Sequence, residues 1–463
     1  MTGRSVVSLA LALTASAAIA QEPDSAELAR RALERRAVEA AVWGMPLVSF
    51  DAMRQAFFHA GAKYGDVLYL TRPADWKFQT TTPNASSLYV YLNFNLKDGP
   101  VVLDFPAAID AGLFGSLSDA WQAPLAEVGP EGDDKGNGGR YLLIPPDFKG
   151  EVPKDHYPVR SPTYNGYGLF RAIPATSSDE DVAKAVALSR KVRVYPLARA
   201  ADPPATRAID ITGKLFEGIT RYDETFYDSL TRMVSEEPVQ VRDFVAMAQL
   251  RTLGIEKGKP FKPDRGKREV LRKAIAEAHA GFVQRAAAGN PWWPKSKWIL
   301  PASLGPRTFF NYLLPDRLEI DERAMTFFLG YGAPRRLGRA TFYLASFRDP
   351  GGEPFRGERT YRLRVPANVP AKQFWAVTVY DMATAGFIRE SPRVSLDSYD
   401  HKAQRNGDGS LDVYFGPKPP PGKEANWIYT APGKPWFTFF RMYGPGTAVF
   451  EKSWKLGDIE EMK

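Results

Sequence analysis

Alternating apolar and polar positions divide this chain into two regions of short predicted strands. The first region covers residues 64–174 and the second covers residues 340–443, and Gly and Pro punctuate both. The best strand candidates in the first region are residues 88–96, 101–105, 113–121, 141–144 and 167–173. Two strand regions of this kind indicate two β domains.

Helical periodicity precedes the first strand region and fills the segment between the two. Residues 27–43 are rich in Ala, Leu, Glu and Arg, and they predict a helix that ends at Gly44 and Pro46. Further helices are predicted at residues 182–192, 222–235, 239–253 and 267–288. Because strands and helices form separate runs, the pattern predicts a mainly β, α+β fold in which a helical segment joins two β-sandwich or jelly-roll-like domains.

The N-terminus has the pattern of a signal peptide. Arg4 supplies a positive charge, residues 6–13 are apolar, and Ala18-Ile19-Ala20 forms a small-residue cleavage site. A membrane anchor is the alternative, but the apolar stretch is shorter than the ~20 residues that a bilayer span needs. We therefore expect a periplasmic or secreted protein with no integral membrane segment after cleavage. The expected boundaries are a signal peptide over 1–20, an N-terminal β domain over 21–175, a helical linking segment over 176–300 and a C-terminal β domain over 301–463.

Composition excludes several kinds of site. The chain has no cysteine, which excludes disulfides, thiolate metal sites and cysteine nucleophiles. Its four histidines lie far apart in sequence, and Asn406-Gly407-Asp408-Gly409 lacks the ligand spacing of an EF-hand and predicts a hairpin turn instead. No metal and no cofactor are predicted. The net charge of +8 comes from interspersed charges without stacking aromatics, so we expect no nucleic-acid partner, although the charge favours anionic ligands.

Each strand region places charged residues in phase with apolar ones. A charge on a buried face is unfavourable unless it is paired. We therefore predict that Asp119 pairs with Arg171, with Arg140 as an alternative partner, and that Asp381 pairs with Arg441. The apolar residues in phase with these charges are Leu113, Leu117 and Trp121; Tyr167, Leu169 and Ile173; Trp375, Val377 and Val379; and Phe437, Phe439 and Tyr443.

These charges have two interpretations. They are either structural ion pairs that fix sheet packing, or the polar floor of a cleft. In the second interpretation, Trp121, Trp375 and Tyr380 line a cleft that binds a small polar or anionic ligand.

Two groups of motifs resemble known domains. The first group resembles the domain of unknown function 1254, and the second resembles the companion domain of unknown function 1214. The first group comprises Thr82-Pro83-Asn84, Lys97-Asp98-Gly99-Pro100, Asp119-Ala120-Trp121-Gln122 and residues 141–146 and 150–153; the second comprises residues 374–381, 406–410 and 441–443 and Lys423-Glu424-Ala425-Asn426-Trp427. The resemblance implies two β-rich, jelly-roll-like domains in an exported bacterial protein and little about chemistry. Many relatives carry Asp where this chain has Ser86, so a role tied to that carboxylate is not expected in this protein.

The residues and the resemblance leave three functions open. The first is an envelope protein that binds a small polar or anionic ligand. The second is a hydrolase or lyase in which Asp119 or Asp381 is a general base and Arg171 or Arg441 holds an anion. The third is a structural partner in an envelope assembly, and a homo-oligomer also remains open. The candidate ligand-binding residues are Asp119, Trp121, Arg140, Arg171, Trp375, Tyr380, Asp381, Asn426, Trp427 and Arg441.

Overall fold

The structure is a computed structural model that describes residues 24–176, 178–303, 305–335 and 341–462, so the predicted signal peptide lies outside the described residues. The helices are α1 (Ser25–His59), α2 (Asp179–Ser189), α3 (Phe226–Glu236), α4 (Phe244–Leu250), α5 (Arg265–Ala286), α6 (Ile320–Leu329) and α7 (Thr447–Phe450). None of these helices has the length and apolar character needed to span a membrane, within the part of the chain described.

The strands fall into two groups along the chain. The N-terminal group is β1 (Val67–Tyr69), β2 (Phe78–Gln79), β3 (Leu88–Asn95), β4 (Val101–Phe105), β5 (Gly112–Asp119), β6 (Pro124–Val128), β7 (Gly139–Ile144), β8 (Tyr157–Arg160), β9 (Asn165–Ile173), β10 (Arg193–Pro196), β11 (Ala208–Asp210) and β12 (Phe216–Glu217). The C-terminal group is β13 (Trp298–Ile299), β14 (Thr341–Ser346), β15 (Tyr361–Val365), β16 (Ala371–Asp381), β17 (Ser395–Asp397), β18 (Leu411–Gly416), β19 (Trp427–Tyr429), β20 (Trp436–Pro445) and β21 (Glu460–Glu461).

Each group contains a pair of packed sheets, and in the N-terminal group β2 and β12 form an additional two-stranded sheet. In the N-terminal half, a six-stranded sheet of order β11-β1-β3-β9-β5-β6 packs on a four-stranded sheet of order β10-β4-β7-β8, with a core that includes Leu92, Leu103 and Phe170. In the C-terminal half, a five-stranded sheet of order β13-β14-β20-β16-β17 packs on one of order β19-β18-β15-β21, with a core that includes Val377 and Leu363. The predicted α+β fold with several sheets is confirmed.

The two large sheets are buried on both faces. Their outer faces meet in a further core, to which Tyr91 and Tyr167 contribute from the first sheet and Phe437 and Phe439 from the second. Helices α1, α3, α5 and α6 supply the rest of that core. Strands covered on both faces read as nearly continuous apolar runs, and β3 and β20 have this character.

Helix α1 does not end at Gly44 and Pro46 as predicted, since it continues to His59. Proline in a helix interior typically costs about 3 kcal/mol. In α1 that cost is offset by burial, because the helix packs against α3, α4, α5 and α6 and almost every residue from Trp43 to Phe57 is buried or nearly so. Gly44 marks the closest approach, since a Cβ at this position would lie 2.6 Å from a methyl group of Leu230 in α3.

The segment Asn406–Gly409 is a turn, but not the predicted hairpin. The Asn406 amide donates to the carbonyl of Ser410 at 2.8 Å, and Gly409 has a positive φ of 79°, whereas Gly407 does not. The flanking strands β17 and β18 belong to different sheets. The turn therefore ends a crossover between the two sheets, which local turn chemistry cannot distinguish from a hairpin.

Candidate functional site

A cavity of about 810 Å³ lies between the outer faces of the two large sheets. Its walls carry Arg171 and Tyr89 from the first sheet and Arg441 and Tyr343 from the second. Each domain thus contributes one guanidinium and one phenol ring to the same space.

Strand register places Arg171 on the cavity side of the first sheet. Arg171 in β9 lies opposite Tyr89 in β3 and opposite Phe114 in β5, and directly opposed residues on antiparallel strands share a face. Its guanidinium carbon lies 5.8 Å from the centre of the Tyr89 ring. No carboxylate of the described residues lies within ion-pair distance, and Nε is buried without a hydrogen-bond partner.

Arg441 occupies the corresponding place on the second sheet. It lies opposite Tyr343 in β14, with its guanidinium carbon 5.1 Å from the centre of that ring. The side chain is only 2% exposed. It donates hydrogen bonds to the Thr82 carbonyl at 2.8 Å and to the Tyr380 hydroxyl, which in turn donates to the Pro83 carbonyl. Arg441 is therefore held by neutral acceptors and keeps its full charge beside the cavity.

The Tyr343 phenol is affected by both guanidiniums. Burial raises its pKa, but the positive charges of Arg171 and Arg441 outweigh burial, and the net result is a lowered pKa. A site that stabilises a phenolate also stabilises other oxyanions placed in the same field. The electrostatic preference of this part of the cavity is therefore for negative charge.

Among the described residues, three carboxyl groups line the cavity, those of Glu127, Glu131 and Asp133. Glu127 has a strongly shifted pKa. It lies on β6 opposite Ser116, whose hydroxyl donates to both carboxylate oxygens at 3.0 and 3.1 Å, and the Arg335 amide also donates to it. Burial raises the pKa of Glu127 to about 7, against the opposing effect of these hydrogen bonds and of Arg171. Glu127 can therefore exchange a proton near neutral pH.

The remainder of the cavity wall is largely apolar. It is formed by α6, by the segment that precedes α6, and by residues of β14, β20 and α7. The apolar wall includes Leu300, Phe310, Phe327, Phe342, Phe439 and Phe450. Charged groups at one part of an apolar cavity are the usual arrangement of a site that orients a ligand.

The predicted pair of Asp119 and Arg171 is wrong. Asp119 is in phase with Leu113 and Leu117, which lie in the sandwich core, whereas Arg171 is on the opposite, cavity-facing side of the same sheet. Asp119 accepts a hydrogen bond from the Ala123 amide at 2.9 Å. The alternative partner Arg140 is at the surface, where it pairs with Asp155 at 2.7 Å.

The predicted pair of Asp381 and Arg441 is wrong for the same reason. Arg441 lies opposite Ala376, so it shares a face with the even-numbered residues of β16, and Asp381 is on the other face. Asp381 accepts from the Ala383 amide at 2.8 Å and lies 3.5 Å from the Lys434 ammonium group. Both faces of this sheet are buried. The apolar pattern within a single strand therefore could not show whether Asp381 and Arg441 lie on the same face of the sheet.

The other candidates are divided between structural positions and the site. Trp375 lies in the C-terminal sandwich core. Asn426 bonds the Gln404 and Asp412 carbonyls and receives the Gln404 amide, while the Trp427 indole donates to the Gly416 carbonyl at 2.9 Å. Trp121 lies near α1 and α6, away from the cavity lining. The cavity thus unites Arg171 and Arg441, with Tyr380 behind Arg441.

Sequence reasoning missed Tyr89, Tyr343 and Glu127. The available signal for Tyr343 was weak, since Thr341 and Tyr343 add polar atoms to one side of a short strand near the start of the second strand region. Glu127 resembles an ordinary surface residue of an edge strand, and its half-buried state depends on tertiary contacts such as the hydrogen bond from the Arg335 amide.

No set of three or more His, Asp or Glu side chains within the described ranges has the arrangement of a metal site. For chemistry on a bound ligand, the cavity wall offers arginine, lysine, tyrosine, glutamate and aspartate side chains, and the pKa values of Arg171, Arg441, Tyr343 and Glu127 are shifted by burial and by neighbouring groups.

Two family models match the sequence. Residues 66–196 match the model described as protein of unknown function DUF1254, and residues 340–447 match protein of unknown function DUF1214, as the motifs predicted. No curated protein matches. A crystal structure of a Vibrio parahaemolyticus protein is similar in fold, with 17% identity and a TM-score of 0.54 over 93% of this chain and 100% of that one. A putative uncharacterized protein from Burkholderia cenocepacia has 12% identity and a TM-score of 0.42 over 94% of each chain.

Proposed function

We propose that the protein binds an organic anion with an apolar body in the cavity between its two domains. The family descriptions that match these domains, DUF1254 and DUF1214, give no activity, so the proposal rests on the cavity. The observation that supports this proposal is the pair of arginines. Arg171 and Arg441 both border one large cavity, and neither has a carboxylate partner among the described residues.

A buried guanidinium without a carboxylate partner is energetically unfavourable within the fold, since a buried ionic group without a partner typically costs several kcal/mol. A ligand carboxylate, sulfate or phosphate would supply the partner through charge-assisted hydrogen bonds, for which the planar guanidinium is well suited. The apolar wall around Phe310, Phe327 and Phe342 would take up the hydrocarbon part of the ligand. The cavity volume of about 810 Å³ falls within the range of natural small-molecule sites, roughly 300–1,000 Å³.

The test compares two amphiphiles with the same chain and opposite charge. Binding of dodecanoate and of dodecyltrimethylammonium to the protein is measured by isothermal titration calorimetry. We expect dodecanoate to bind and Arg171→Met to weaken it roughly 10- to 100-fold, the loss typical of one charge-assisted hydrogen bond. Arg140→Met is the matched control, because Arg140 is an exposed arginine paired with Asp155 outside the cavity lining. Equal binding of the two amphiphiles, or no effect of Arg171→Met, would contradict the proposal.

A second candidate function is acid–base catalysis on the same bound anion. Two groups of the cavity wall favour it, because the pKa of Glu127 is raised to about 7 by burial and the pKa of Tyr343 is lowered by the two arginines against the effect of burial. Asp119 and Asp381 lie outside the cavity lining, and the pKa of the lining residue Glu127 is raised to about 7, so we take Glu127 as the general base. Deuterium uptake by dodecanoate in heavy water, followed by mass spectrometry, would support catalysis if Glu127→Gln abolished the uptake while binding remained.

We also propose that the protein acts outside the cytoplasm, on the basis of the signal-peptide pattern of residues 1–20. Fractionation of the expressing bacterium followed by N-terminal sequencing tests this. A chain that begins at or near Gln21 in the periplasmic or secreted fraction is expected. An intact Met1 on the mature protein would contradict export by cleavage.

A further inference from the structure

A second pair of cations, the buried Arg323 and the half-buried Arg242, lies around the indole of Trp121, away from the cavity lining. The guanidinium carbon of Arg323 in α6 lies 4.7 Å from the centre of the indole, and that of Arg242 lies 5.6 Å from it. The Trp43 ring of α1 contacts the same indole edge-on at 5.0 Å. Two like charges therefore share one buried aromatic neighbour.

Several N–H groups of this cluster have no acceptor. Arg323 is 1% exposed and makes one hydrogen bond, from Nη2 to the Trp43 carbonyl at 2.9 Å. Its Nε and Nη1 atoms and Trp121 Nε1 are buried without a hydrogen-bond partner among the residues that the structure describes. Arg242 Nε makes no hydrogen bond within those residues either, although it lies 3.7 Å from the Asp243 carboxylate. Native proteins leave few buried donors unpaired, and a charged donor is the most costly to leave. The unpaired polar groups of this cluster are all N–H donors, so in the described part of the chain the cluster lacks a hydrogen-bond acceptor.

The nearby carboxylates do not supply that acceptor. Asp243 lies 3.7 Å from Arg242 and accepts from the Trp43 indole at 3.3 Å. Asp119 accepts from the Ala123 amide, and burial raises its pKa to about 7, so that near neutral pH it is ionised only in part. Arg323 has neither of them as an ion-pair or hydrogen-bond partner.

The charge of Arg323 is correspondingly poorly compensated. Burial and repulsion by Arg242 lower its pKa to about 9, although Asp243 and Asp119 act in the opposite direction. A water molecule would accept two of the free N–H groups but would leave the excess positive charge in place. An anion would accept the hydrogen bonds and also neutralise the charge.

We propose that the cluster of Arg323, Arg242 and Trp121 binds a small inorganic anion of the halide class. The contacts are close, with a guanidinium 4.7 Å from the ring centre, and the residues do not line the large cavity, so a small anion suits the site and an organic one does not. The anion would connect α6 to the segment after β5 and to residues 241–243, and it would thereby hold the helices against the N-terminal sandwich.

The first test uses thermal unfolding in sodium chloride and in sodium gluconate at equal ionic strength. A ligand that binds only the folded state raises Tm. We expect Tm to be higher in chloride by about 2 °C or more, and we expect Arg323→Met to abolish the difference. Arg285→Met is the control, because Arg285 is a surface residue paired with Asp321, and this variant should keep the difference.

The second test does not require a folded variant. Crystals of the unchanged protein grown or soaked in sodium bromide are measured at the bromine absorption edge. An anomalous peak within hydrogen-bond distance of Arg323 Nε or Nη1 and Trp121 Nε1 is expected. Absence of that peak, or equal Tm values for the unchanged protein in the two salts, would overturn the proposal, since water would then satisfy these groups. Neither result depends on the ligand of the large cavity.

Discussion

The buried arginine Arg54 of helix α1 and the cavity arginines differ in one respect, the presence of carboxylate partners. Arg54 donates to Asp51 through Nε at 3.1 Å and Nη2 at 2.8 Å, and it also pairs with Glu236 of α3. Its pKa is raised because these carboxylates outweigh burial, which acts in the opposite direction. The pKa values of Arg171 and Arg441 are also raised, but neighbouring tyrosines and not carboxylates act against burial there, and neither arginine has a carboxylate partner among the described residues.

This difference separates a structural cation from a ligand-binding one. A buried ion pair is complete within the fold, so removing one member leaves the other charge stranded. A cation that borders a cavity and has no carboxylate partner is incomplete within the fold, so removing it relieves a penalty and removes a binding partner. Arg54 belongs to the first kind and Arg171 to the second, and substitutions in the two places should therefore have opposite effects on stability.

The largest expected effect is on the free energy of unfolding when the Arg54 network is broken. Asp51 is fully buried and pairs with both Arg54 and Arg232. Asp51→Asn should reduce the free energy of unfolding by roughly 3–5 kcal/mol, because Arg54 and Arg232 both lose the Asp51 carboxylate. Arg54, which is buried, then keeps only Glu236 as a counter-charge among the described residues. Urea denaturation followed by circular dichroism measures it. A loss below about 1 kcal/mol would show that the network does not act as an ion-pair core.

The next expected effect is the opposite behaviour of the cavity arginine. Arg171→Met should leave the free energy of unfolding within about 1 kcal/mol of the unchanged protein or increase it, because an isosteric apolar side chain removes an uncompensated charge. Denaturation is measured without ligand and again with dodecanoate. A loss as large as that of Asp51→Asn would place Arg171 among the structural cations and would contradict the distinction between the two kinds of arginine.

A third effect is expected from pH. The folded-state pKa values of Glu127 and Asp119 are both raised to about 7 by burial, from ordinary values of 4.5 and 3.8. Between the ordinary pKa and the folded-state pKa of each group, the folded protein keeps a proton that the unfolded chain has released. The stability that Glu127 and Asp119 contribute is therefore full below about pH 4 and is lost as pH rises to 7. The slope should be at most about 1.4 kcal/mol per pH unit for each group.

The pH prediction has a matched variant. Glu127→Gln removes one of the two groups, and its stability should fall less steeply between pH 5 and pH 7. Urea denaturation at a series of pH values gives the two slopes. Identical slopes for the variant and the unchanged protein would mean that Glu127 titrates normally in the folded state.

The smallest effect is expected at the surface. Arg140 and Asp155 form an ion pair in which both side chains are about half exposed or more. Arg140→Met should not measurably change stability or dodecanoate binding, because solvent and salt screen such pairs. A clear loss of dodecanoate binding in this variant would mean that the probe recognises surface charge and not the cavity.

The sequence by itself determined a large part of the fold. Alternation located five strands of the N-terminal domain and the extent of the second strand region, and composition and periodicity located α2 to α5, whereas α6 was not predicted. It also identified Arg171 and Arg441 as charges in phase with apolar residues, and both lie at the cavity. Local patterns suffice for these features, because they reflect the side-chain period of a single strand or helix.

Tertiary structure decided which charges meet. Both large sheets are buried on two faces, so the apolar run in each strand does not distinguish the face of the sandwich core from the face of the cavity. The face that Asp381 and Arg441 occupy depends on strand register, and a shift of one residue would have reversed it. Packing also decided that α1 continues through Pro46 and that Glu127 is half-buried, since both follow from contacts with segments distant in sequence.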